Sequence, residues 1–225
     1  MPVEDRRRER SKLWEHVVHP ERRPHGIRLL IAVAILVLAA LPVERDEVSA
    51  FELDVFRWLN ELPGALEPAL QTVMQLGSLF AIPMVAAMAW VQSRRIRRGI
   101  DLFLAGTLAW GAARLIKELV QRGRPDALLH DVVLRGDAAT GFGFVSGHAA
   151  VAAALATVAA FYLPMRGKVL VWVLALLVGV ARIYVGVHLP LDVAGGLAMG
   201  WAIGSVVHFV LLPELTGAPA EAEGT

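Results

Sequence analysis

Apolar segments recur along the chain and are separated by short polar breaks. Each segment approaches the ~20 residues that a helix needs to cross about 30 Å of hydrocarbon. We therefore predict an all-α fold, a bundle of six transmembrane helices, with spans at Ile27–Val43, Leu70–Val91, Ile100–Val120, Gly147–Leu163, Val169–Val187 and Leu191–Leu212. The first span is the shortest and could be a signal-peptide core, but the 26 residues before it, many of them charged, favour a retained span.

The same pattern divides the chain into a basic N-terminal segment (1–26), a six-span membrane domain (27–212) and a C-terminal tail (213–225). Hydrophobic residues make up 56% and charged residues 19% of the chain, and the mean hydropathy is +0.55. This composition excludes a disordered chain, a basic nucleic-acid-binding domain and a small disulfide scaffold. There is no cysteine, which excludes disulfides, thiolate metal sites and cysteine nucleophiles.

Positive charges predict the orientation of the bundle, although the net charge is only +1. Arginine and lysine concentrate before the first span, after the second and after the fourth, which are all on one side of a six-span chain. By the positive-inside rule this side is the cytoplasm of a cell membrane, and both termini lie there. The residues are Arg6, Arg7, Arg8, Arg10, Lys12, Arg22, Arg23, Arg94, Arg95, Arg97, Arg98, Arg166 and Lys168. A surface helix on anionic lipid, anchored by Trp14, is the alternative for the N-terminal arginines.

The first outer connection is acidic instead of basic. Its carboxylates are Glu44, Asp46, Glu47, Glu52, Asp54 and Glu61. Apolar residues within Asp54–Gly64 predict a short amphipathic helix that lies on the outer leaflet.

Three polar clusters border the later spans. In the first, Lys117 and Arg124 are seven residues apart, which is two helical turns, so both can face one site. Gly123 suits the residue after a helix end, and Pro125 disfavours helix at Arg124. The alternative is a pair of cations that snorkel at a helix end.

The second cluster opens the fourth span with Ser146, Gly147 and His148. Ser146 suits a helix N-cap, and Gly147 allows a ligand to approach the backbone. The free N–H groups and positive dipole end of such a helix can bind an anion. An ordinary capped helix after a glycine-rich loop is the alternative.

The third cluster contains Arg182, His188 and Asp192. Pro190 suits the first position of the sixth helix, so Asp192 lies in its first turn and His188 just before it. A carboxylate beside a histidine can hold one ring nitrogen and leave the other free to react. The six-span topology brings all three clusters to the outer face. Cations, histidines, a carboxylate and a helix N-terminus gathered there are suited to phosphate chemistry.

Lys117-x6-Arg124-Pro125, Ser146-Gly147-His148 and Arg182-x5-His188-x3-Asp192 together resemble the three-part signature of the type 2 phosphatidic acid phosphatase superfamily, which also includes vanadium-dependent haloperoxidases. The chain departs from that signature twice. Val145 stands where the family usually has proline, and Ala181 stands where it usually has serine. The second change removes one possible hydrogen bond to phosphate, which leaves substrate preference and rate open.

The resemblance implies a role for each matched residue. His188 would attack phosphorus and form a phosphohistidine, Asp192 would orient it, and His148 would be the general acid and base. The phosphoryl oxygens would be bound by Lys117, Arg124, Ser146, Gly147 and Arg182. The resemblance implies no metal and no cofactor.

Three other arginines fit the signature less well. Arg114 lies on the face of Lys117 but deeper, and we interpret it as structural, with a supporting role near the site as the alternative. We expect Arg122 and Arg135 to be solvated in the outer loop, unless they reach a second phosphate.

We therefore predict an integral membrane phosphatase with an extracytoplasmic site. Its partners would be the bilayer and a membrane lipid phosphate. The first candidate for this lipid is a polyprenyl diphosphate, such as undecaprenyl diphosphate. Phosphatidic acid, phosphatidylglycerol phosphate and a prenyl-phosphosugar are alternatives. A non-enzymatic phospholipid or anion transporter is a rival of another class, and an intramembrane serine protease is a weaker one. We expect no nucleic-acid partner, and the oligomeric state stays open.

Overall fold

The computed structural model describes residues 23–43, 48–136 and 139–210. The N-terminal arginines up to Arg22, the first outer carboxylates Glu44, Asp46 and Glu47, and the predicted tail 213–225 lie outside these residues. The described chain forms helices and no strands, which confirms the all-α class for this part. The helices are α1 Arg23–Ala40, α2 Ala50–Asn60, α3 Glu67–Met74, α4 Ala81–Ser93, α5 Ile96–Val120, α6 Pro125–Leu128, α7 Gly147–Tyr162, α8 Met165–Tyr184 and α9 Pro190–Val210.

Three of the described helices, α5, α8 and α9, are long and apolar enough to cross a membrane. The pair α3 and α4 passes the same test as one span, bent by 73°. Two other apolar segments, Gly26–Ala40 within α1 and the 16-residue helix α7, are too short to pass the same test. Three to four spans are therefore supported by length and composition, and the count of six stays a prediction.

The second predicted span is not one straight helix. The chain turns between α3 and α4 through the 3-10 segment Gln75–Gly77. Gly77 packs against the backbone carbonyl of His148, where a Cβ atom would collide with that oxygen. A hydropathy pattern records which residues are apolar and not where the backbone bends, so the sequence predicted the length of this segment without its break.

Helix α7 is the centre of the bundle. Every residue from Ala149 to Val158 is buried, and α5, α8 and α9 all pack against it. The glycines of α9 allow the closest approach: a Cβ atom at Gly196 would meet the carbonyl of Ser146, and one at Gly200 would meet that of Ala150. Small residues at spacings of four are typical of closely packed membrane helices. The α7–α9 contact therefore fixes the first turns of both helices relative to one another.

The predicted amphipathic helix exists as α2, but it begins at Ala50, because Ser49 accepts a hydrogen bond from Glu52 N at 3.2 Å and caps it. One face of α2 packs on the bundle and buries Glu52, Phe56, Leu59 and Asn60. On the opposite side, Phe51 and Trp58 are 78% and 70% exposed. The helix thus covers the end of the bundle where the predicted site lies.

Candidate active site

The site lies at one end of the bundle, where α5 and α8 end and where α7 and α9 begin. Backbone hydrogen bonds join these ends: Ser146 N donates to Asp192 O at 2.8 Å, and Gly143 N donates to Arg122 O at 2.8 Å. Helices packed side by side with short connections bring these segments together. The three polar clusters, far apart in sequence, therefore meet, as the sequence predicted.

Lys117 and Arg124 are held by the same loop. Lys117 Nζ donates to the carbonyls of Phe142 and Gly143 at 2.7 and 2.9 Å. Arg124 donates to the carbonyls of Thr140, Gly141 and Val187 at 2.8 to 2.9 Å. Both cations are thus oriented by backbone oxygens and not by carboxylates, so their charges stay available to an anion.

The route by which Arg124 reaches the site differs from our prediction. Helix α5 ends at Val120, and Gln121, not Gly123, has the left-handed conformation that terminates it, with φ 54°. Arg124 is therefore not two turns along the helix from Lys117 but the N-cap residue of the short helix α6. An extended residue before Pro125 agrees with the restriction that proline places on its predecessor.

Helix α7 begins as predicted, with Ser146 as the N-cap residue and Gly147 as the first helical residue. The Ser146 hydroxyl does not cap the helix: Oγ is buried and makes no hydrogen bond with any described residue. An intramembrane serine protease needs a base bonded to its serine, so this geometry does not favour that rival. Ser146 Oγ and the first N–H groups of α7 instead remain available to an acceptor.

His188 is 2% exposed and Asp192 is fully buried. His188 Nδ1 lies 3.4 Å from Asp192 Oδ2, which is within ion-pair distance, but the two atoms are not aligned as a hydrogen bond. Catalytic hydrogen bonds commonly tighten when substrate binds. Burial, followed by the charges of Arg182, Lys117 and Arg124, holds the pKa of His188 well below its usual 6.5. His188 is therefore neutral near pH 7.

Arg182 and His148 complete the cluster. Arg182 donates one N–H to Met74 Sδ at 3.0 Å, while its Nε is buried and without a hydrogen-bond partner among the described residues. His148 is half-buried in the first turn of α7, within the electrostatic influence of Arg182, Lys117 and Arg124. The structure thus brings two histidines and three cations to one small region.

The prediction that Arg122 is solvated was wrong. Arg122 is fully buried and forms ion pairs with Glu52 at 2.7 Å and with Asp192 at 2.9 Å. Sequence reasoning missed Glu52 as well, because it counted this residue only as part of the acidic outer connection. A signal was present: Glu52, Phe56 and Leu59 recur at helical spacing, which places a carboxylate on an apolar face.

Arg135 is not free in solvent either. It donates to the carbonyls of Asn60, Leu62 and Tyr184 at 2.7 to 3.0 Å, and its guanidinium lies 4.0 Å from the centre of the Tyr184 ring. Asn60, which the sequence did not single out, bonds both N and O of Val133 at 2.9 Å. These bonds tie the loop after α6 to α2 and α8. Arg114 is exposed and its guanidinium lies 5.1 Å from the centre of the Trp110 ring, and its structural role stays a prediction.

Chemically, this arrangement suits an anion with a tetrahedral centre. Ser146 Oγ and Arg182 Nε have no hydrogen-bond partner among the described residues. They lie in a cluster that also contains Lys117, Arg124 and a neutral histidine backed by a carboxylate. Among the described residues, no group of three or more His, Asp or Glu side chains could hold a metal ion.

Comparisons with known proteins agree with the motif. The sequence profile of the PAP2 superfamily matches residues 98–213, slightly more than half of the chain. A solved structure with the same fold, that of Aquifex aeolicus LpxE, has a TM-score of 0.66 and 29% identity and covers 72% of this chain and 96% of that chain.

Three curated relatives are phosphatases by name. Phosphatidylglycerophosphatase B of Bacillus subtilis is 29% identical, over 76% of this chain and 85% of its own length. Undecaprenyl-diphosphatase of Sulfolobus acidocaldarius is 25% identical, over 81% and 87%. Decaprenylphosphoryl-5-phosphoribose phosphatase of Mycobacterium tuberculosis is 41% identical, over 51% and 63%. From the profile match, and from the three-part signature that the fold assembles at one end of the bundle, we conclude that the chain belongs to the PAP2 superfamily.

Proposed function

We propose that the protein is a membrane lipid phosphatase that removes a terminal phosphate through a phosphohistidine on His188. The observation that carries this proposal is the burial of a neutral His188 beside Asp192 and among three cations. A histidine buried in this way does not stabilise the fold well, since Nδ1 of His188 has no aligned hydrogen bond. It is a good nucleophile, because one nitrogen faces a carboxylate and the other is free.

The donors around His188 support phosphate binding. An arginine has five N–H donors and a lysine has three. Arg124 uses three of its five donors for carbonyls, which leaves two, and Lys117 uses two of its three, which leaves one. These donors, with Arg182 Nε and Ser146 Oγ, would hold the phosphoryl oxygens, and the N–H of Gly147 at the start of α7 would add to them.

The reaction would proceed in two steps. In the first, the lone pair of His188 Nε2 attacks phosphorus, the bond from phosphorus to the leaving oxygen breaks, and His148 gives that oxygen a proton. In the second, water attacks the phosphohistidine and gives a proton to His148, while the bond from phosphorus to nitrogen breaks. Asp192 would stabilise the positive charge that His188 carries in between. No metal enters either step.

We propose a polyprenyl diphosphate as the first candidate substrate. Two of the three relatives act, by their names, on polyprenyl-linked phosphates. Phosphatidylglycerol phosphate is the main alternative, since it is the substrate implied by the name of the Bacillus subtilis relative. Phosphatidic acid and a prenyl-phosphosugar share the same chemistry, a phosphate ester attached to a membrane-embedded tail.

We also propose that the site faces the extracytoplasmic side. Arg94, Arg95, Arg97 and Arg98 lie at the start of α5, and the site lies at its end. A helix of 25 residues is about 37 Å long, so arginines and site lie near opposite membrane surfaces. The positive-inside rule then supports a cytoplasmic location for the arginines, the segment 1–26 and the tail 213–225.

The proposal is tested by phosphate release from purified protein in detergent with EDTA present. The panel contains a polyprenyl diphosphate, phosphatidic acid, phosphatidylglycerol phosphate, a prenyl-phosphosugar and a water-soluble aryl phosphate. We expect release that survives chelation, fastest with polyprenyl diphosphate and slowest with the aryl phosphate. Loss of release in EDTA, restored by a divalent cation, would contradict the metal-free mechanism. No release from any member would favour the transporter.

The acid side of the pH profile gives an independent test. His188 must be unprotonated to attack, and its lowered pKa keeps it unprotonated at pH 6.5. The loss of kcat/KM that its protonation causes should therefore lie well below pH 6.5. In Arg182→Gln, one of the charges that lower this pKa is gone, so the acid limb should move to higher pH. The substrate phosphate also ionises near pH 6, so the measurement is the difference between the acid limbs of the wild-type and Arg182→Gln profiles. If the acid limb is the same in both proteins, the proposed role of His188 is contradicted.

A further inference from the structure

A buried chain of charges leads from α2 to the site. Glu52 Oε2 accepts a hydrogen bond from Arg122 NH2 at 2.7 Å, and Glu52 Oε1 accepts from Arg122 NH1 at 3.1 Å. Arg122 is fully buried and Glu52 is 2% exposed. Glu52 lies outside the segment that the family profile matches, and Arg122 is not part of the three-part signature.

Arg122 also holds the aspartate beside the nucleophile. Its NH1 donates to Asp192 Oδ1 at 2.9 Å. The other oxygen, Oδ2, accepts from Leu189 N at 2.9 Å and lies 3.4 Å from His188 Nδ1. With Oδ1 fixed by Arg122, the carboxylate plane is set and Oδ2 is directed towards the imidazole.

Glu52 makes a second connection to the same region. Its Oε1 accepts a hydrogen bond from Leu191 N at 3.0 Å, in the first turn of α9 and next to Asp192. Glu52 therefore fixes both the guanidinium that holds Asp192 and the backbone that carries it.

The charges around Asp192 explain why its carboxylate has to be held in place. Asp192 interacts electrostatically with Lys117 and Arg124, two of the cations that would bind phosphate. A buried carboxylate without a partner is costly, so an aspartate released by Arg122 would be drawn towards these cations and would compete with the substrate. Although burial disfavours the charged guanidinium, Glu52 and Asp192 outweigh it and raise the pKa of Arg122 above its usual value.

We propose that Glu52 and Arg122 are positioning residues, which hold Asp192 towards His188 and away from the phosphate-binding cations. This inference rests on the proposed function of His188 as nucleophile. Neither residue touches the substrate. Glu52 and Asp192 share the single positive charge of Arg122, so the three side chains together carry one net negative charge. This charge lies beside the imidazole of His188, which becomes positive during the reaction.

The test compares Glu52→Gln with Glu61→Gln in steady-state kinetics on the best lipid of the panel. Glutamine keeps the size of Glu52 and an acceptor oxygen but removes its charge, while Glu61 is an exposed residue that follows the same helix. A small misplacement of a catalytic group can cost about 100-fold. We expect Glu52→Gln to lower kcat by about 10- to 100-fold with KM little changed, and Glu61→Gln to leave both parameters unchanged.

A double-mutant cycle separates positioning from a purely structural role. If Glu52 acts through Asp192, its substitution should have little further effect on kcat in an Asp192→Asn background. A purely structural role predicts the same loss of kcat in both backgrounds, and that result would overturn the inference. Arg122→Lys, which keeps the charge but not the two-pronged contact, should behave like Glu52→Gln. An inactive wild-type protein would instead contradict the proposed function, so the two failures are distinguishable.

Discussion

Replacing His188 with alanine should abolish phosphate release from every lipid in the panel. The substitution removes the atom that is proposed to form the covalent bond, on a side chain that lies 3.4 Å from a buried carboxylate. Loss of the nucleophile in a catalytic triad lowers kcat by up to about 10⁶-fold. We expect a loss of at least 10⁴-fold, limited by the background of the assay.

The matched control is His130→Ala, since His130 is exposed in the loop after α6. It should retain the wild-type rate. Both variants should elute from a sizing column at the wild-type volume and melt at a similar temperature, which shows that His188→Ala is folded. A His188→Ala protein that is folded and keeps more than about a tenth of the wild-type rate would exclude His188 as the nucleophile, because removing a nucleophile costs far more.

Asp192→Asn should cause the second-largest loss, about 10³- to 10⁴-fold in kcat, by analogy with triads in which the same change favours the wrong tautomer. An asparagine that turns its amide N–H towards His188 requires an unprotonated Nδ1. The proton then sits on Nε2, the nitrogen that must attack phosphorus. The side chain is nearly unchanged in size, so the effect is on chemistry more than on packing.

Asp131→Asn is the control for this change, because Asp131 is an exposed carboxylate in the loop after α6. KM for Asp192→Asn should remain close to the wild-type value, since Asp192 does not contact the substrate in the proposed mechanism. If KM rises sharply while kcat is retained, Asp192 organises the binding of phosphate instead of the nucleophile.

The sequence predicted the site better than the path of the chain that builds it. The positions of Ser146 as N-cap residue and of Pro190 as the first residue of α9 were both correct, and the effect of proline acts within a few residues of itself. The capping hydrogen bond expected of the Ser146 hydroxyl does not form. The meeting of the three clusters also followed from the span pattern. The end of α5 at Val120 did not, since no sequence rule required Gln121 to adopt a left-handed conformation.

The misplacement of Arg122 has a different cause. In the sequence it lies in a polar stretch next to Arg124, which favours a solvated side chain. Its burial depends on α2, whose Glu52 is 70 residues away and reaches it only in the folded chain. The break between α3 and α4 escaped prediction for a similar reason, because Gly77 owes its position to a contact with His148. Long-range packing decides both, and a single sequence records little of it.

The phosphohistidine is the central claim, and trapping it is the most direct test. The protein would be mixed with a lipid radiolabelled at its terminal phosphorus, quenched in alkali, which preserves phosphohistidine, and analysed by peptide mass spectrometry. We predict label on the peptide that contains His188, at His188 itself, and none in His188→Ala or in a protein denatured before mixing. Phosphate release without any label on His188, or label on another residue, would contradict the mechanism.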